Sequence, residues 1–159
     1  MASNVAAAAE VPLEPADALA LWADVDRWPS FVEGFARVGE LSPDWPAAGA
    51  KVVWLSHPGG RGRVTEKVIA SDLRRFSTRV YEERLAGIQT AEVAPAGGGA
   101  RGDVRLEYEL VKGGPLRAVG DALFVRRALR DALARTLGRF AVEAEEDAGL
   151  RSGPAERLR

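Results

Sequence analysis

Residues 103–111 have the sequence Asp103-Val104-Arg105-Leu106-Glu107-Tyr108-Glu109-Leu110-Val111, in which apolar and charged side chains alternate. Neighbouring side chains of a strand point to opposite faces, so the apolar residues share one face and the charged residues share the other. Alternation over this length is typical of a strand with one face on a core and one face in water. We therefore predict a half-buried strand of an antiparallel sheet.

A long helix is predicted to follow this strand. Beyond Lys112-Gly113-Gly114-Pro115, from residue 116 to about residue 146, apolar residues recur at helical spacing: Val119, Leu123, Leu129, Leu133, Leu137, Phe140 and Ala144. Such a stripe predicts an amphipathic helix that covers an apolar surface. We expect Gly149 to end the helix and residues 150–159 to form a mobile charged tail.

Upstream of residues 103–111, five strand-like segments are separated by turns rich in Gly, Pro, Asp and Ser. They are residues 35–41, 51–56, 61–69, 76–83 and 87–94. His57-Pro58-Gly59-Gly60 is typical of a hairpin turn, and residues 4–13 are predicted to form a first strand. Consecutive strands joined by short turns form a meander.

Two short helices are predicted between the first strand and the meander. The first begins at Glu14-Pro15-Ala16-Asp17, because the first turn of a helix does not use the N–H that Pro15 lacks. Leu19 and Trp22 lie three residues apart and face one side. Trp28-Pro29 ends this helix and starts the second.

This order of elements predicts a single α+β domain, residues 1–149, in which a curved antiparallel sheet of about six to seven strands wraps around the long C-terminal helix. A sheet that is curved enough to grip one helix leaves space between the two. Such a space is a natural cavity for a small molecule.

Composition narrows the classes of function. The chain has 159 residues, 47% of them hydrophobic and 28% charged, and its net charge is −1. That balance offers no general surplus of cations for nucleic acid, and the absence of cysteine excludes disulfides and thiolate nucleophiles. No signal peptide and no membrane-spanning run of 18–20 apolar residues is expected. We expect a cytoplasmic protein without a cofactor, and the sequence leaves its oligomeric state open, a homodimer included.

Several motifs resemble those of the START-like polyketide cyclase/dehydrase and lipid-transport superfamily (SRPBCC), whose members have a helix-grip fold. The resemblance is carried by Val11-Pro12-Leu13-Glu14-Pro15-Ala16-Asp17 and by Leu21-Trp22-Ala23-Asp24-Val25-Asp26-Arg27-Trp28-Pro29-Ser30-Phe31. Glu40-Leu41-Ser42-Pro43, Gly49-Ala50-Lys51-Val52 and the glycines at 97–99 add to it. The resemblance implies a hydrophobic cavity, but this superfamily has no universal catalytic signature, and a fold alone does not fix a function.

Glu66 is the first candidate for a role in the cavity. It lies between Val64 and Val68 on one face of a predicted strand. If that face is concave, a carboxyl group points into an apolar cavity, where its pKa would be raised and it could act as an acid or a base. The alternative is that the other face, with Thr65 and Ile69, points inward.

The other cavity candidates are aromatic or polar residues on predicted inward faces: Trp54, Phe76, Gln89, Tyr108, Phe124 and Arg126. Tyr108 and Gln89 offer polar groups beside apolar walls. Arg126 interrupts the helix stripe and could hold a carboxylate or phosphate; the alternative is that its guanidinium extends to the rim while its stem packs.

Two further features favour structural roles. His57, the single histidine, lies in the hairpin turn without an evident carboxylate partner, and one histidine makes a histidine-rich metal site impossible; no metal is expected. Gly59-Gly60-Arg61-Gly62-Arg63 lacks the strand–turn–helix context of a phosphate-binding loop, since a strand follows it.

The sequence favours binding or carriage of a small hydrophobic or aromatic molecule, because it shows a cavity fold without a catalytic constellation. One alternative is an enzyme of the aromatase/cyclase type, in which Glu66, Tyr108 and Arg126 would assist proton transfer. A second alternative is a protein-interaction domain of the co-chaperone kind, which a large exposed apolar patch would favour.

Overall fold

Seven strands and three α-helices make up the structure, a computed structural model that describes residues 3–111 and 118–156. In chain order they are β1 Ser3–Val11, α1 Pro15–Ala23, α2 Trp28–Phe31, β2 Phe35–Leu41, β3 Lys51–Ser56, β4 Arg63–Ser71, β5 Arg75–Tyr81, β6 Leu85–Ala96, β7 Gly99–Leu110 and α3 Ala118–Glu156. A short 3-10 helix, Val25–Arg27, joins α1 to α2.

The strands form one antiparallel sheet in the order β1-β7-β6-β5-β4-β3-β2. The meander from β2 to β7 places sequence neighbours side by side, and β1 closes the far edge by pairing with β7, with Val5 opposite Leu106. The register shifts in the β2–β3 pair and between Val68 and Ala70 of β4. Such bulges bend and twist a sheet, which helps it to curve around a helix.

Helix α3 packs on the concave face of this sheet through Leu133, Leu137, Phe140 and Ala144, all of them buried. The edge of the sheet beside it is alanine-rich, with Ala7 and Ala9 packed against the core, as are Ala141 and Ala148 of the helix. Small side chains on both elements let the backbones approach closely. The predicted α+β helix-grip fold is confirmed.

The helix differs from its prediction in one buried position and at its C-terminal end. Residue 116, the expected start, lies outside the described residues. Leu123 was placed on the buried stripe but is 63% exposed. The first buried residue of the described helix is Leu133, and Leu129 is half buried, so this part of the helix does not pack on the core as Leu137 does. The helix also continues through Gly149 to Glu156; the mobility of a tail at 150–159 stays a prediction.

Tryptophan hydrogen bonds fix the short N-terminal helices. Trp28 Nε1 donates to the carbonyl of Trp22 over 2.8 Å, and Trp45 Nε1 donates to the carbonyl of Ala23 over 2.8 Å. The Trp22 ring meets the edge of Phe140 on α3, with 5.4 Å between ring centroids. These contacts hold α1 and α2 at one end of the groove between sheet and helix.

Arg27 adds a polar link between the 3-10 helix and α3. Its Nε donates to Glu143 over 2.7 Å, and a second guanidinium nitrogen reaches Asp147 over 3.2 Å. Within residues 3–111 and 118–156, no helix is both long and apolar enough to cross a membrane.

Candidate ligand cavity

A cavity of about 70 Å³ lies between the concave face of the sheet and α3. Its walls come from α1, α2, the central strands and the first half of the described part of α3. The lining residues are Trp22, Trp28, Phe31, Val32, Glu33, Trp54, Arg61, Glu66, Phe76, Val80, Gln89, Leu106, Leu129, Ala132, Leu133 and Thr136. Five of these side chains are aromatic, so the walls are mainly apolar.

The cavity has a buried floor and a half-buried mouth. The floor is formed by residues of the central strands, all of them buried: Trp54, Glu66, Phe76, Val80 and Leu106. Half-buried residues surround the mouth: Val32, Glu33, Arg61, Leu129 and Ala132. The mouth therefore lies between the α2–β2 connection, the β3–β4 hairpin and α3.

Glu66 supplies the carboxyl group of the floor. Val64 and Val68, its neighbours on the same face of β4, are fully buried, and Glu66 itself is only 6% exposed. Trp54 Nε1 donates to Oε2 of Glu66 over 2.8 Å, and the hydroxyl of Thr78 donates to Oε1 over 2.9 Å. Three adjacent strands thus hold one carboxyl group against the cavity.

Burial raises the pKa of Glu66 above its usual value, because a charged carboxylate is costly in an apolar environment. The hydrogen bonds from Trp54 and Thr78 and the charge of Arg61 act in the opposite direction, while the nearby charge of Glu82 raises the pKa further. The net direction is upward, so Glu66 holds its proton to higher pH than an exposed glutamate does.

Arg61 lies at the mouth, at the end of the β3–β4 hairpin. Its guanidinium stands 5.5 Å from the centroid of the Trp54 ring, and its Nε pairs with Glu82 over 2.5 Å. The flanking Gly59 and Gly62 have φ values of +83° and +78°, a backbone conformation that glycine adopts without strain. The hairpin turn thus places Arg61 over the face of the Trp54 indole, whose N–H donates to Glu66.

Glu33 closes the other side of the mouth. Its carboxylate pairs with Arg135 over 3.0 Å and with Arg139 on α3, and its backbone N–H donates to the hydroxyl of Thr136 over 3.0 Å. Burial alone would raise the pKa of Glu33, but the hydrogen bonds from the two arginines bring it below its usual value. These contacts fasten the α2–β2 connection to α3.

Residues 3–145 match a family described as polyketide cyclase / dehydrase and lipid transport. The chain belongs to this family. No sequence among the curated proteins matches it.

Solved structures share the fold at low sequence identity. TTHA0849 from Thermus thermophilus is 18% identical with a TM-score of 0.74, over 89% of this chain and 97% of that chain. The di-domain aromatase/cyclase StfQ from the steffimycin biosynthetic pathway is 17% identical with a TM-score of 0.74, over 94% of this chain. This chain spans about half of StfQ, 53% of its length. Norcoclaurine synthase from Thalictrum flavum is 16% identical with a TM-score of 0.66, over 90% of this chain and 95% of that chain.

Four of the sequence candidates lie together in the cavity: Trp54, Glu66, Phe76 and Gln89. Tyr108 is buried on the same face but does not line the cavity. The register explains its position, because Leu106, which does line the cavity, lies opposite Gln89, and Tyr108 lies one pair further along, opposite Gly87.

Phe124 and Arg126 do not line the cavity, so their placement there was wrong. Phe124 is 73% exposed; five residues before Leu129, it lies about 140° around the helix from that lining residue. Arg126 is exposed and lies about one helical turn before Leu129. Leu129 itself is only half buried at the mouth.

Sequence reasoning missed the polar residues around Glu66. Thr78 shares a face of β5 with Phe76 and Val80, so the alternation of that strand could have indicated it. Arg61 and Thr136 could not be found in this way, because one lies in a hairpin turn and the other among arginines on a helix.

Proposed function

We propose that this protein binds a small hydrophobic or aromatic molecule in the cavity between α3 and the concave face of the sheet. The observation that carries this proposal is the carboxyl group of Glu66, which is held by Trp54 and Thr78 against the cavity. A mainly apolar cavity with a few convergent polar groups is the usual form of a small-molecule site. The family description, with its cyclases and lipid carriers, supports the same class of ligand.

The size of the cavity limits the ligand. Its volume of about 70 Å³ is well below the roughly 300–1,000 Å³ of drug-sized pockets. Aromatic side chains such as Trp22, Trp28 and Phe31 occupy much of the groove. In this closed form the site takes the polar end of a ligand and at most about one ring, and a larger molecule must displace the half-buried residues at the mouth.

Native mass spectrometry of freshly purified protein tests this proposal directly. We expect a bound species of low mass that is lost on denaturation. A thermal-shift panel of single-ring aromatics, quinones, fatty acids and sterols tests it independently, because a ligand at a hundred times its Kd stabilises the folded state by about 2.7 kcal/mol. Failure of both experiments would remove the binding function.

A second candidate, an enzyme of the aromatase/cyclase kind, is favoured by one observation. Three ionisable side chains, Glu33, Arg61 and Glu66, line the same cavity, and the raised pKa of Glu66 suits its carboxyl group to proton transfer. StfQ and norcoclaurine synthase, both similar in fold, are named for their reactions. Glu66 would be the acid or base, and Arg61 would stabilise a developing negative charge.

Proton exchange separates the two candidates without knowledge of the natural substrate. Acetophenone carries exchangeable protons next to its carbonyl group, and NMR in deuterated buffer follows their loss. The enzyme hypothesis predicts exchange above the buffer rate with the wild-type protein and none with Glu66→Gln. Binding of acetophenone without faster exchange would leave a carrier and exclude this chemistry.

A further inference from the structure

The hydrogen bonds around Glu66 leave one group available to a ligand. An indole N–H can only donate, so Oε2 of Glu66 acts as an acceptor toward Trp54. The Thr78 hydroxyl can donate or accept, and in the structure it donates to Oε1. With both Trp54 and Thr78 acting as donors, neither bond uses the carboxyl proton of a neutral Glu66. The O–H of Glu66 is therefore left as a donor. Because Glu66 lines the cavity, that donor is available to a ligand there.

No charged side chain forms an ion pair that would stabilise Glu66 in its carboxylate form, among the residues that the structure describes. Among the described residues, its carboxyl group makes no ion pair within 4 Å. Arg61 pairs with Glu82 and lies over the Trp54 ring, and Glu33 at the mouth is paired with α3. A buried group without a counter-ion is most stable when uncharged, in agreement with the raised pKa of Glu66.

We propose that Glu66, as a neutral acid, donates its O–H to an acceptor on the ligand, and that the cavity therefore selects neutral single-ring aromatic carbonyl compounds. This inference rests on the proposed binding function and names its ligand class. An amine of the same ring size would bring a second cation toward Arg61. A carboxylate would lose its hydration in a cavity whose cation already has a partner, Glu82.

A panel of compounds with one common ring tests this preference in the wild-type protein. Acetophenone offers an acceptor, ethylbenzene has a similar shape without one, benzylamine is a cation and benzoate is an anion. Calorimetry below the pKa of Glu66, located first by NMR titration, should give a Kd for acetophenone about 3- to 10-fold lower than for ethylbenzene, the range expected of one neutral hydrogen bond. The advantage should shrink as pH rises through the pKa of Glu66, because a carboxylate cannot donate.

Two variants identify the donor. Glu66→Gln keeps a neutral donor of similar shape, so the preference for acetophenone should persist and lose its pH dependence. Glu66→Leu removes the donor, so acetophenone and ethylbenzene should bind alike. If the wild-type protein binds all four compounds equally, or binds benzylamine or benzoate most tightly, this inference is wrong while the binding function stands. If no compound of this panel or of the broader thermal-shift panel binds, the binding function fails as well.

Discussion

Trp54 and Glu66 lie diagonally across the β3–β4 pair, and the indole Nε1 of Trp54 donates to Oε2 of Glu66 over 2.8 Å. Trp54 is paired with Val64, and Glu66 is paired with Val52, so both side chains point to the concave face. One aromatic side chain thus forms a wall of the cavity and holds the carboxyl group on its floor.

Trp54→Phe tests this link. The ring is largely kept, but Glu66 loses a donor, so we expect a loss of about 1–3 kcal/mol in the free energy of unfolding. The pKa of Glu66 should rise further, since the hydrogen bond from Trp54 favours the charged form. Denaturation and NMR titration of the side-chain carboxyl measure the two effects. Trp28→Phe is the matched control, because it removes a buried indole donor that bonds to the Trp22 carbonyl; it should leave the pKa of Glu66 unchanged.

Glu66 should make stability depend on pH. Its pKa is higher in the folded protein than the unfolded value of about 4.3, so between these two values the folded state binds more protons. The free energy of unfolding therefore falls as pH rises through this window and levels off above the folded pKa. Glu66→Gln removes this dependence. Denaturation curves of both proteins, from below the unfolded pKa of about 4.3 up to about pH 8, should show the variant gaining stability relative to the wild type as pH rises. A constant difference would contradict the assignment.

The packing of α3 is tested by two leucines on the same helix. Leu137 is 2% exposed in the core, while Leu123 is 63% exposed. Leu137→Ala should lower the free energy of unfolding by about 2–5 kcal/mol, because truncation leaves a cavity. Leu123→Ala should change it by less than about 0.5 kcal/mol. Equal costs in urea denaturation would show that the buried face of the helix is assigned incorrectly.

Filling the cavity should abolish binding. Ala132 is half buried on α3 and lines the site, so the ring of Ala132→Phe would project toward the space a ligand needs. We expect the thermal shift from single-ring ligands to disappear while the circular dichroism spectrum stays native. Ala134→Phe, at an exposed position of the same helix, should retain the shift. Retention of binding in Ala132→Phe would place the ligand elsewhere.

The pattern of apolar and polar residues along the sequence was enough to predict most of the architecture. The alternation of residues 103–111 predicted β7, and the spacing of Leu133, Leu137 and Phe140 predicted the buried face of α3. The spacing of apolar residues and the residue types of turns are properties of short stretches of sequence, so they can be recognised without knowledge of the fold. Glu66 could be proposed for the same reason, because Val64 and Val68 flank it on one face of a single strand.

The composition of the site depended on tertiary structure. Thr78 and Trp54 reach Glu66 only because β3, β4 and β5 are paired in a particular register, and a shift of one residue would turn their side chains to the other face. Phe124 was misplaced because the helical spacing of apolar residues shows which residues share a face but not where along its length the helix leaves the sheet. The order and type of the elements, and the apolar faces of the strands, follow from local spacing in the sequence. Only the fold decided which polar groups share the cavity, because that depends on distances between residues far apart in the chain.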